Sequence, residues 1–292
     1  MDKNPFSFYD FLGYLFPGMM TLLIIIHLIY IDNPTSISDY FNIEKFIKTF
    51  KNDISIEWWK TTLLLIIFSY TCGHIISYLS STTIEYFSNR IFKYPSHYLL
   101  HEDKRNYCDY WASYFTDNAT FGNICWRIIL FFLLCPITCF ILPFGSLIHI
   151  NAFVARPLDA YIRDNITTKF LHLTQKLQLS QPQLESDADY HRIVMHYVYL
   201  NIPNCQRKTD NYIAIYGFLR SICLILCAFT VFIFYNAIFS SNIHITPTGW
   251  KLVITMIILC NITFMGFVKF YRRFTLENYM ALLTEKIDKK EL

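Results

Sequence analysis

Charged side chains are scarce. They make up 16% of the 292 residues, against 54% hydrophobic. A soluble domain carries roughly 25% charged residues, so this composition excludes an ordinary water-covered globule. An excess of one sign is missing too. Lys plus Arg number 25 and Asp plus Glu 22, a net charge of +3, which excludes a polybasic nucleic-acid binder. Only 8 Gly and 10 Pro leave no room for low-complexity or collagen-like sequence. The nine cysteines form no CxxC. Cys135/Cys139 and Cys223/Cys227 stand four apart, the spacing of small apolar residues on packed helices rather than of zinc or redox ligands. No P-loop, GxGxxG, HExxH or GxSxG occurs, so no enzyme signature is present and no cofactor is expected.

What the chain has instead is long apolar runs. About 20 apolar residues carry a helix across a ~30 Å hydrocarbon core. Residues 11–31, 58–80, 213–239 and 252–270 meet that length, two of them flanked by interfacial Trp58, Trp59 and Trp250. No strand-period segment competes. The expected fold is all-α: a polytopic membrane protein with four transmembrane helices and a helical cytoplasmic insertion. Residues 124–150 are apolar enough to span, but Pro136 and Pro143 interrupt them, and proline inside a helix kinks or breaks it.

Basic residues collect on the cytoplasmic side of membranes. Residues 151–212 carry seven and the tail from Lys269 six, whereas 240–249 carry none. That distribution favours four crossings with both termini in the cytoplasm of a cell with an inner membrane, and 124–150 as a broken or re-entrant hairpin. The organisation is then a first transmembrane pair in 1–82, an insertion in 83–212, a second pair in 213–270 and an amphipathic tail in 271–292. Within the insertion, Leu158, Ile162, Ile166, Phe170, Leu173 and Leu177 form one stripe of a helix over 156–179. A second helix is expected from near Ser186 to before Pro203, with Asp210 capping the third span.

Several residues stand out against this apolar background. Gly13, Pro17 and Gly18 make the first span a candidate hinge, with Asp10 at its mouth. Ser69, Gly73, Ser77 and Ser81 form a small-residue stripe for helix packing. His74 and Arg220, with Asn236 and Asn261 as lesser versions, are ionisable or polar groups inside spans and so pore or gate candidates. Arg207, Lys208, Lys269, Arg272 and Arg273 are candidates for anionic lipid or for a phosphate-bearing ligand such as a nucleotide or oligonucleotide. His97, His101, Glu102 and Asp103, and Asp187, Asp189 and His191, are two His/acid clusters that read as solvated, locally paired residues, with no metal expected.

Phe8-Tyr-Asp-Phe-Leu-Gly-Tyr14 with Pro17-Gly18, followed by Tyr70-x-x-Gly73-His74-x-x-Ser77 and Glu85, resembles the front end of a loose group of bacterial multi-pass membrane proteins. That group includes membrane effectors of anti-phage defence. The nearest analogy is the ion-channel effector of the Hailong system, whose channel is held shut by a short nucleic-acid oligomer made by its partner enzyme. The match covers roughly the first 85 residues. The resemblance implies an oligomeric channel or pore gated from the cytosol. The residues alone leave a second class open: a non-conducting scaffold or sensor that anchors a cytosolic partner protein through helices 156–200.

Overall fold

The structure is a computed structural model. It describes residues 8–31, 34–42, 44, 58–100, 107–116, 120–145, 156–179, 190–239 and 246–285. Among these residues there is no strand, and four helices are long and apolar enough to cross a membrane. The chain is therefore a helical membrane protein. Its helices are α1 (Phe16–Ile29), α2 (Trp58–Ser80), α3 (Tyr86–Phe92), α4 (Pro95–Leu100), α5 (Tyr107–Thr116), α6 (Phe121–Leu133), α7 (Cys135–Phe144), α8 (Ala160–Lys176), α9 (Tyr190–Asn201), α10 (Pro203–Phe239) and α11 (Pro247–Thr284).

The last two helices are longer than the apolar runs that announce them. Asp210 lies inside α10 rather than capping it. The helix begins at Pro203, whose fixed φ and missing N–H suit a first helical position. In the same way α11 runs unbroken from the fourth span into the tail, and the Thr246 side chain accepts the Gly249 N–H at its start. At 1.5 Å per residue each helix is about 55 Å long, against a ~30 Å hydrocarbon core. About 25 Å of each must project beyond the core.

The two long helices form the centre. In their most apolar windows 44% and 33% of residues are buried, against 17% and 11% for the first and second spans, which lie on the outside. The core around α10 and α11 holds Cys223, Cys227, Ile233, Cys260, Phe264 and Phe267. Beyond the membrane-length portion, a second core joins Leu99 of α4, Ile166, Phe170 and Leu173 of α8, Val194 and Val198 of α9, and Tyr279 and Leu282 of α11. The buried members of the α8 stripe thus dock on the projecting end of α11, where Lys169 Nζ also donates to the Glu285 carbonyl (2.6 Å) and Tyr197 to its carboxylate (2.8 Å). Leu177 of the same stripe stays exposed. The expected start of α9 near Ser186 lies outside the described residues.

The apolar segment 124–150 is broken at Leu134: α6 and α7 meet at 85°. Pro136 sits in the first turn of α7 and accounts for the break, whereas Pro143 lies in the last turn. The break is buried, with Leu134 and Ile137 inaccessible and the Pro136 carbonyl accepting from Asn261 Nδ2 (3.0 Å). A break buried in this way needs its backbone groups paired within the protein. Arg127 of α6 is fully buried. Its Nη1 donates to the carbonyls of Tyr114 (2.9 Å) and Phe115 (3.2 Å), and Tyr114 Oη donates back to the Arg127 carbonyl (3.0 Å).

At the opposite end, residues 34–42 cap the bundle. Ile37 and Tyr40 are buried, and His27 Nε2 of α1 donates to the Tyr40 carbonyl (2.8 Å). Burial alone would raise the Asp39 pKa. Backbone hydrogen bonds from Ser36 and Thr35, and side-chain hydrogen bonds from both residues, overcome it and hold the carboxyl below its ordinary value. A lowered carboxylate pKa contributes stability that is present above the unfolded pKa and is lost as pH falls through the folded one. Hydrogen-exchange protection at Ser36 and Asp39, taken relative to the intrinsic rate at each pH, is therefore expected to be high at neutral pH and to fall as pH drops below about 4. In Asp39→Asn the protection should be low throughout.

Candidate functional site

The first two spans touch backbone to backbone. A Cβ on Gly18 would overlap the Ser69 carbonyl, and one on Gly73 would overlap the Tyr14 carbonyl. Ser69 and Gly73 thus serve contact between α1 and α2 of the same chain, the close approach that small residues permit. Ser77 and Ser81 serve a different purpose, described below.

The candidate hinge is a π turn. Phe8 to Ile29 is continuously helical, but residues Phe11–Leu15 widen to i→i+5 bonding, with the Phe16 N–H reaching the Phe11 carbonyl. Proline clashes with the carbonyl four residues before it and offers that carbonyl no N–H. For Pro17 that residue is Gly13, and the wide turn around Gly13 absorbs the conflict without a break. Tyr14, at the same turn, stacks on His74 (3.8 Å between centroids) and meets Tyr70 edge-on, while its hydroxyl bonds that of Tyr9 (3.1 Å). His74 is thereby held between aromatic rings on an exposed face. Asp10 lies one residue before the turn, half-buried.

A second π turn, Ser81–Glu85, follows α2. Residues five apart stack in a π turn much as residues four apart do in an α-helix, so Ser80 and Glu85 approach the same neighbour. That neighbour is Arg220 of α10. Its Nη1 bonds Glu85 Oε2, its Nε donates to Ser80 Oγ (3.1 Å) and its Nη2 to the Ser77 carbonyl (3.3 Å). Ser81 Oγ donates to the same carboxylate oxygen (3.2 Å), and Ser221 lies beside Ser80 at 3.4 Å. The guanidinium has 11% of its side chain exposed and the carboxylate 21%. Tyr216 and Tyr271 pack against one another nearby, centroids 5.2 Å apart. Counting about 20 residues for the hydrocarbon from Trp58, from Pro247 and back from Phe239 brings all three helices to this same level. Arg220 lies at about that level, where the apolar runs of α10 and α11 give way to their more polar continuations.

The other candidates bond separately, and the buried Asn261 Oδ1 has no partner among the described residues. Asn236 Nδ2 donates to the Phe232 carbonyl of its own helix (2.8 Å), and Asn261 to Ile257 and Pro136. The basic set does not converge. Lys208 pairs with Glu277 (2.7 Å), Arg272 Nη2 donates to the Arg156 carbonyl (3.0 Å), Arg273 lies 5.7 Å from the Phe270 ring, and Arg207 and Lys269 are exposed. His97 is half-buried on α4 and His191 packs edge-on to Phe274 and Tyr279. His101, Glu102, Asp103, Asp187 and Asp189 lie outside the described residues. Among the described residues no three His, Cys, Asp or Glu side chains come close enough to hold a metal ion.

Arg220 and Glu85 each stand out in the sequence, but nothing in it joins them, and nothing in it marks Ser80 or Arg127. The one available signal for the pair was a buried cation in one span and a carboxylate at the end of another, since such a charge needs a partner. Compared with known proteins, the chain matches no family model, no curated protein and no solved structure.

Proposed function

We propose that this chain is an oligomeric ion channel or pore-forming membrane effector, gated by a signal that reaches the spans through the helices of the 83–212 insertion. The observation that supports this reading most is the Arg220–Glu85 pair, joined at the membrane edge to one π turn and lying beside a span that carries another. A π turn holds one residue more than an α turn and is frequent at functional sites. Passing that residue along the helix rotates what lies on one side of it by about 100°. In α2 such a rotation swings Glu85 away from Arg220. The pair is then the latch of the closed state, and α10 and α11 are the rods that carry force from the insertion to it.

In this reading the protein resides in a bacterial inner membrane with both termini and the insertion in the cytoplasm, acts as a homo-oligomer and is not an enzyme. The defence setting follows the resemblance of the first 85 residues. The activating signal is then a cytosolic protein or a phosphate-bearing ligand. A second reading has its own observation. Arg220 and Asn236 are satisfied within one chain, as they would be in a non-conducting scaffold. Ion flux from liposomes, with oligomer size read in parallel, separates the two. A channel gives an oligomer whose flux responds to the latch, whereas a scaffold gives a tight membrane under all conditions.

A further inference from the structure

Just outside the latch is a cavity of about 580 Å³. Its wall is unusual in chemistry. Tyr78, Tyr86, Tyr94 and Trp126 contribute aromatic rings, and Glu85 is the one charged side chain among its lining residues; Arg220 does not line it. Both described hydrogen bonds to the Glu85 carboxylate arrive at Oε2. Asn89 also lines the cavity. Ring faces beside a single carboxylate suit an organic ammonium ion, whether primary or methylated.

The turn that brings Tyr94 to the wall is a strained one. Lys93 has φ 62° and ψ 176°, a region that glycine occupies readily and other residues do not. Tyr78 and Tyr94 are 69% and 58% exposed, so neither ring is held there by a need to be buried in this chain.

We propose that this cavity binds an ammonium group, primary or quaternary, between the aromatic rings and the Glu85 carboxylate. Cation–π attraction to several rings together with one carboxylate is the usual chemistry for such a group. At the membrane edge it has two sources: the headgroup of an ethanolamine or choline lipid, or a soluble organic cation. The site does not rest on the channel reading, and its test reads binding rather than flux.

The test is calorimetric titration of the full-length protein, in detergent, with tetramethylammonium chloride against a sodium chloride blank. In parallel, the protein is placed in nanodiscs of phosphatidylethanolamine, phosphatidylcholine or phosphatidylglycerol and its retained lipids are identified by native mass spectrometry. Glu85→Gln disturbs the latch, so the deciding variants are the double substitutions Tyr78→Ala/Tyr94→Ala and Tyr78→Phe/Tyr94→Phe. Loss of two ring faces should weaken binding at least about tenfold, while phenylalanine preserves it. Saturable tetramethylammonium binding that ammonium lipids do not displace identifies a soluble cation. Displacement by those lipids, or their selective retention without tetramethylammonium binding, identifies a headgroup. Equal binding in the alanine double variant overturns the proposal, as does the absence of both tetramethylammonium binding and any preference over phosphatidylglycerol.

Discussion

Glu85→Gln is expected to lower the stability of the folded protein by about 3–5 kcal/mol, the range for breaking a buried ion pair by removing one partner. Arg220 keeps Ser80 and the Ser77 carbonyl, but these neutral acceptors leave the guanidinium without a countercharge at the edge of the apolar layer. Arg220→Met alone is expected to be milder, because Glu85 keeps Ser81 and reaches the cavity. The double variant Arg220→Met/Glu85→Leu should recover most of the loss, since apolar residues of similar volume replace buried ion pairs at little or no penalty. Steric-trap or denaturant unfolding in detergent micelles reads all three. A double variant no more stable than Glu85→Gln would mean that the two residues do not act as a pair.

Gly73→Ala is the second large effect. The added methyl meets the Tyr14 backbone rather than a side chain that can rotate away, so the helices must separate. Overpacking costs 1–3 kcal/mol and occasionally more; with backbone as the obstacle we expect about 3. Gly18→Ala, facing the Ser69 carbonyl, should behave alike. Gly217→Ala supplies the contrast. Nothing within 4 Å meets a Cβ there, and alanine in a helix interior gains roughly 0.5–1 kcal/mol over glycine. Thermal unfolding should rank Gly217→Ala above the unsubstituted protein, and Gly73→Ala and Gly18→Ala below it.

The four spans were legible because apolar length is a local property that any window reveals. So was the break in 124–150, since Pro136 cannot sit in a helix interior without a local rearrangement. Their ends were less legible. The third and fourth apolar runs mark only the portion of α10 and α11 that faces lipid and core. Their continuations are more polar and pack on α9 and, for α11, on α8 as well.

The candidate site was half legible. Arg220 stood out by residue type, and Gly13, Pro17 and Gly18 by backbone chemistry. Their partners did not, because Glu85 and Arg220 are 135 residues apart and no periodicity connects them. The small-residue stripe shows the same limit. Its spacing announces a close contact and is silent on whether the partner is another chain or, as for Ser69 and Gly73, the neighbouring span. The basic set also looked like one cluster in sequence, yet Lys208 turns to Glu277 and Arg272 to Arg156.

The central claim is that the Arg220–Glu85 pair holds a conducting pathway shut. Its most direct test is ion flux from liposomes reconstituted with equal amounts of the unsubstituted protein and of Arg220→Met, which breaks the pair without replacing it, each checked for fold and oligomer size. The expected result is an oligomer in both, little flux from the unsubstituted protein and at least about tenfold more from the variant, since removing ~1.4 kcal/mol or more of latch energy shifts a two-state gate by that factor. Two equally tight preparations of folded protein would contradict it and favour the scaffold.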